Sequence, residues 1–152
     1  MAFKKLETKL YSSWSTYAAD MMSVLEDCGM WNIDDTFQEF FGETGIGFQF
    51  RMYKNCSAAA VTDYDWEKEH SEFMKRIGVK TEQCIAFPND SAYDEKQSAA
   101  INKIKASIEI GRAVTVWGID TGEFGIIYGY DDDDGVFFAK GIGSNDFRDS
   151  NP

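Results

Sequence analysis

The run Asp131-Asp132-Asp133-Asp134-Gly135 separates two apolar, β-rich stretches, Phe124–Tyr130 and Val136–Ala139. An Asp-Gly pair between such stretches is a strong hairpin signal, because glycine adopts the positive φ that a tight turn needs. A third β-rich run, Ala113–Trp117, precedes them. Ala113–Lys140 therefore has to fold as antiparallel strands, and the rest of the chain must supply what covers them.

Helical spacing supplies the cover. Trp14, Tyr17, Ala18, Met21, Leu25 and Cys28 form one apolar stripe, predicting a helix from Ser13 or Ser15 to Cys28 that Gly29 stops. A short helix is expected from Asp34 or Asp35 to Gly42. The alternating run Gly45–Tyr53 reads as a strand. A third helix is expected over Asp63–Ile77, with Thr62 and Asp65 as a capping box. Val79–Phe87 reads as a short strand. A fourth helix starts near Asp94, with Gln97 placed to cap in return and a stripe of Ile101, Ile104 and Ile108. Helices first and antiparallel strands last make the class α+β: one domain over 1–140. Gly141–Pro152 has no period and is expected to be a loop or tail, or the start of a further C-terminal region.

Composition removes some partners. Of 152 residues, 26 are acidic and 15 basic, a net charge of -11 with no basic patch, which disfavours nucleic acid and anionic membrane. No apolar run approaches the roughly 20 residues of a membrane helix. The N-terminus lacks a signal-peptide core, so a cytoplasmic location is expected. The three cysteines, Cys28, Cys56 and Cys84, form no C-x-x-C pair, so neither a disulfide scaffold nor structural zinc is expected. The acidic run around Asp132 fails the spacing of a calcium loop, and no cofactor motif is present. Nothing in the sequence specifies an oligomeric state.

His70 is the single histidine, so any Cys–His or Ser–His pair would have to use it. Beside Trp66 and Phe73 it reads better as a packed core residue. Cys28 and Cys84 read as small buried hydrophobes. Cys56 opens a loop next to Lys54, which makes it the candidate thiol. Cys56 and His70 are thus the candidate catalytic groups that the residues themselves offer.

The segment Ile108-Glu109-Ile110-Gly111-Arg112-Ala113-Val114-Thr115-Val116-Trp117, followed by Phe124-Gly125-Ile126-Ile127-Tyr128-Gly129-Tyr130-Asp131, resembles papain-like, C39-type cysteine peptidase domains. Among such domains it resembles the butirosin-biosynthesis protein H N-terminal-like group. The resemblance spans about residues 10–140. It implies a papain-like fold with N-terminal helices packed on a C-terminal antiparallel sheet. It also implies a cysteine nucleophile within Ser13–Thr16 and a histidine base at about Glu123 or Phe124. Neither is present: the resemblance puts Ser13 or Ser15 in the cysteine position, which adds Ser15 to the candidate catalytic groups, but a hydroxyl with a carboxylate for a base is a weak substitute.

The expectation is therefore a non-catalytic domain that binds a small molecule or peptide in the former active-site cleft. Ser13, Trp14, Ser15, Trp117, Glu123, Tyr128 and Tyr130 are the candidates to line it, with Glu123 suited to a cationic or amine-bearing ligand. A divergent acyltransferase or cysteine hydrolase, and a structural or interaction domain, are the alternatives.

Overall fold

The computed structural model describes residues 2–32, 36–52, 54, 65–119, 122–143 and 147–148. In chain order the elements are β1 (Phe3–Lys5), β2 (Leu10–Tyr11), α1 (Thr16–Asp27), α2 (Phe37–Thr44), a 3-10 turn (Ile46–Phe48), a π-helical turn (Trp66–His70), α3 (Ser71–Arg76), α4 (Tyr93–Glu109), β3 (Val114–Ile119), β4 (Glu123–Asp131), β5 (Val136–Lys140) and β6 (Phe147–Arg148). Helices combined with a largely antiparallel sheet make this an α+β chain. It forms two compact units, Met1–Thr36 with Ile85–Pro152, and Phe37–Cys84.

The first unit is built on the predicted hairpin. Asp131 Oδ1 accepts from the backbone N–H of Asp133 (2.8 Å) and Asp134 (3.3 Å), and Gly135 takes φ 66, so the turn closes as its residues dictate. β5 pairs with β4 over Ile126–Asp131. The β3 pairing at Glu123–Ile127 and the β1 pairing at Gly129–Asp131 therefore lie end to end along the other edge of β4. β1 is an addition to the expected sheet. Beyond Ile127 the edge of β4 has backbone groups that β3 does not reach, and Phe3–Lys5 satisfies them. The tail is corrected as well: Phe147–Arg148 forms a parallel pair with Leu10–Tyr11.

Phe124 meets Tyr17 of α1 edge-on at 5.4 Å, while Ile127 and Tyr130 pack on Ile108 of α4. Phe124 and Ile127, three apart on β4, face opposite ways, so α1 and α4 cover opposite faces of the sheet, and the bulge between Ile127 and Gly129 returns Tyr130 to the Ile127 face. α1 is buried almost all round, through Tyr17, Ala18, Met21, Met22 and Leu25 among others. Its Ser23 hydroxyl donates to Ala19 O (2.8 Å) and accepts from Tyr11 N–H (2.9 Å), which pins β2 to the helix. α4 begins at Tyr93, and its N-cap Ala92 makes no side-chain bond. The expected cap by Gln97 does not form. Asp94 and Glu95 sit in the first turn instead, where they complement the helix dipole.

In the second unit, α2 buries Phe40, and the Thr44 hydroxyl donates to Phe40 O (2.6 Å). The expected strand Gly45–Tyr53 is overturned over its described part. Gly45 takes φ 78, and Arg76 lies across it, donating to Thr44 O at 3.1 Å, so the chain leaves α2 in a 3-10 turn. Phe48, Phe50 and Met52 stay exposed, and strand propensity counts for little without a pairing strand. Val79–Phe87 likewise forms no strand, and Cys84 is exposed rather than packed.

The third helix is also revised. Asp65 is its N-cap, accepting from Lys68 N–H at 3.0 Å, and Glu69 returns a bond to Asp65 N–H at 2.8 Å. His70 N–H reaches Asp65 O at 3.4 Å, which makes the first turn π-helical. Tyr53, Cys56, Thr62, Asp63, Asp34 and Asp35 lie outside the described residues.

Candidate functional site

The start of α1 sits beside the start of β4. Ser15 is the N-cap, 9% exposed, and its hydroxyl accepts from Ala18 N–H at 3.3 Å. Ser13 Oγ accepts from Ser15 N–H at 3.3 Å. Both hydroxyls thereby shape the helix entrance, and Ser15 serves as a cap. Thr16, the first helical residue, donates from Oγ1 to Glu123 Oε2 at 3.1 Å.

A hollow of about 20 Å³ opens here, lined by Ser12, Ser13, Thr16, Asp20, Phe124 and Ile142 among others. That is room for about one water-sized group.

Asp20 is the group that sequence reasoning missed. One helical turn beyond Thr16, it is 3% exposed, and its Oδ2 has no hydrogen-bond partner among the described residues. Desolvation pushes its carboxyl up to about 8, so the acid keeps its proton at neutral pH. The one available signal was contextual. From Thr16 to Leu25 it is the only charged residue, set between Ala18-Ala19 and Met21-Met22.

The other candidates separate. Trp117 is 60% exposed and meets Phe124 edge-on at 4.8 Å, so it stands one ring away from the hollow. Trp14 is 76% exposed. Tyr128 lies under the ammonium groups of Lys5 (5.7 Å) and Lys140 (5.0 Å). Tyr130 is buried against α4 and donates to Glu109 Oε1. Five and seven residues along β4 from Glu123, these tyrosines are roughly 17 and 23 Å away. The structure thus brings Ser13, Ser15, Thr16, Asp20 and Glu123 together, with Trp117 adjoining through Phe124, and leaves Tyr128 and Tyr130 apart.

His70 belongs to the second unit. It is 5% exposed, stacks near Trp66 at 5.3 Å, and its Nδ1 accepts from the Gln83 amide at 2.7 Å. Desolvation lowers its pKa from 6.5 to about 4. The unfolded chain binds a proton below pH 6.5 that the folded chain refuses until about pH 4, so stability falls as pH drops through that window. The loss reaches at most about 3 kcal/mol. His70→Gln is expected to flatten that fall in urea titrations between the two pH values. Equal slopes in both proteins would show that burial of the imidazole carries no such cost.

Of the thiols, Cys28 is the half-buried C-cap of α1, and desolvation raises its pKa. No group of three or more His, Cys, Asp or Glu is gathered to hold a metal ion among the described residues. No described helix is long and apolar enough to cross a membrane. No protein family, no curated protein and no solved structure matches this chain.

Proposed function

We propose that this chain is a non-catalytic domain of papain-like type that binds a small molecule or a peptide at the start of α1. One observation carries the proposal: Asp20 lines the hollow, and its buried Oδ2 has no partner among the described residues. A buried polar atom left unpaired costs about 1–3 kcal/mol. Its presence on the wall of a hollow supports a ligand as the missing partner.

The papain-like resemblance draws support from the Thr16–Glu123 contact. Thr16 lies in the span where the resemblance puts that family's cysteine, and Glu123 is one of the two positions, with Phe124, where it puts the histidine. With a hydroxyl and a carboxylate in those places the cleft is kept and the thiol chemistry is lost. A divergent hydrolase or acyltransferase is the second reading, favoured by the same contact, since it joins a hydroxyl to a basic oxygen.

Thermal-shift measurements against amines, aminoglycosides, short peptides and acyl carrier proteins test the proposal. A binding class is expected to raise Tm by about 5 °C at a hundredfold excess over Kd. Ser13→Trp, which fills the hollow, is expected to abolish that shift. The absence of any shift would remove the binding role. Turnover of an acyl thioester that Thr16→Val abolishes would favour the second reading instead.

A further inference from the structure

We infer that the ligand presents a primary ammonium group, which enters the hollow at the start of α1 and pairs with the Asp20 carboxylate while one proton leaves the site. The inference rests on the binding role proposed above and names the chemistry of its ligand.

Size is the first support. A hollow of about 20 Å³ accepts one water-sized group. A primary ammonium matches that, whereas a trimethylammonium head is much larger.

The lining is the second support. Asp20 supplies a carboxyl oxygen without a partner among the described residues, and Ser12, Ser13 and Thr16 supply hydroxyl oxygens around it. Among the described side chains, no Lys, Arg or His belongs to the lining. An ammonium brings three donors, and the Asp20 oxygen is the acceptor among the described residues that has none.

Charge is the third. Three strands pack against α1. From β4, Glu123 adds a second carboxylate at the rim, held by Thr16. From β2, Tyr11 is engaged with the Glu26 carboxylate, to which it donates at 2.8 Å. β3 carries no ionisable side chain between Val114 and Ile119. The positive end of the helix dipole favours an anion, yet the Ser15 cap already takes Ala18 N–H, and the nearby side-chain charges are both acidic. A chain with net charge -11 also draws cations to itself.

The proton balance follows from burial. Asp20 stays a carboxylic acid up to about pH 8, so a ligand that arrives as an ammonium converts acid and ammonium into a carboxylate–ammonium pair plus one proton released to solvent. Only the O–H bond breaks. Affinity should therefore rise about tenfold per pH unit up to about pH 8 and then level off.

The test uses protein labelled with 13C at aspartate and n-butylammonium chloride as the probe, at about pH 6.5. The Asp20 carboxyl resonance is expected to move from its protonated to its ionised position, while n-butyltrimethylammonium, 1-pentanol and butyrate leave it in place. Asp20→Asn is expected to raise Kd for n-butylammonium at least about tenfold. If n-butylammonium leaves the resonance unmoved while a peptide, carrier or neutral compound binds and is blocked by Ser13→Trp, the ammonium inference fails and the binding role stands. If no compound binds in either experiment, both fail.

Discussion

Gly129→Val is expected to lower Tm by about 10 °C, the consequence of roughly 3 kcal/mol of overpacking in a chain of this size. A Cβ at Gly129 would lie 2.7 Å from Lys4 O, 3.0 Å from Lys5 Cα and 3.0 Å from Phe138 Cδ2. Two of those atoms are backbone and cannot swing aside. To relieve the clash β1 must leave β4, giving up the pairing of Lys4 with Tyr130 and of Lys5 with Gly129. Leu6 N–H would lose Tyr128 O at 2.8 Å, and the Leu6 side chain would lose its place against the Ile108, Ile127 and Tyr130 cluster. Gly42→Ala is the control. Gly42 lies inside α2 with open space where a Cβ would go, so alanine there should stabilise slightly, by up to about 1 kcal/mol. Far-UV melts of the two variants should move in opposite directions. Equal melting of Gly129→Val and the parent chain would mean that β1 is not held as described.

The contrast between Gly129 and the rest of the sheet explains what could be read from residues alone. α1, α4 and the strands β3 to β5 were legible because their signals are local: an apolar stripe, a glycine stop, an Asp-Gly turn. β1 was not, because Phe3-Lys4-Lys5 holds one apolar residue, and its strand character comes from a partner more than a hundred positions away. β6 was hidden for the same reason. The opposite error occurred at Gly45–Tyr53 and Val79–Phe87, where β-rich residues had the composition of strands and no neighbour to pair with.

The candidate site divides along the same line. Ser13, Ser15 and Glu123 were reached through the positions that the papain-like resemblance assigns, and the Thr16–Glu123 contact joins those positions. Tyr128 and Tyr130 were grouped with them only because they share a strand, which is too long for both ends to serve one hollow. Asp20 was invisible because a charge on an amphipathic helix normally marks its wet face. Here α1 packs against β2, β3 and β4, and eight of its twelve residues are buried, Asp20 among them.

Asp20→Asn is expected to stabilise the chain above pH 4 by an amount that grows with pH and levels off near pH 8. Below pH 3.8 the carboxyl is protonated whether the chain is folded or not, and an amide of the same shape changes little. Between the two values the unfolded chain gives up the Asp20 proton and the folded chain keeps it. The unfolded state then binds fewer protons, and stability falls as pH rises, by about 1.4 kcal/mol per unit at most. Asparagine has no such proton, so the difference between the variant and the parent should widen steadily, reaching at most about 6 kcal/mol. Urea midpoints at matched pH values measure it directly, and a difference that does not change with pH would mean that Asp20 is not desolvated. A difference that widens with pH means that the acid destabilises the free protein at neutral pH and above, a cost relieved when a cation pairs with it. Adding n-butylammonium should therefore narrow the gap between parent and variant by stabilising the parent alone, whereas a purely structural acid would leave the gap untouched.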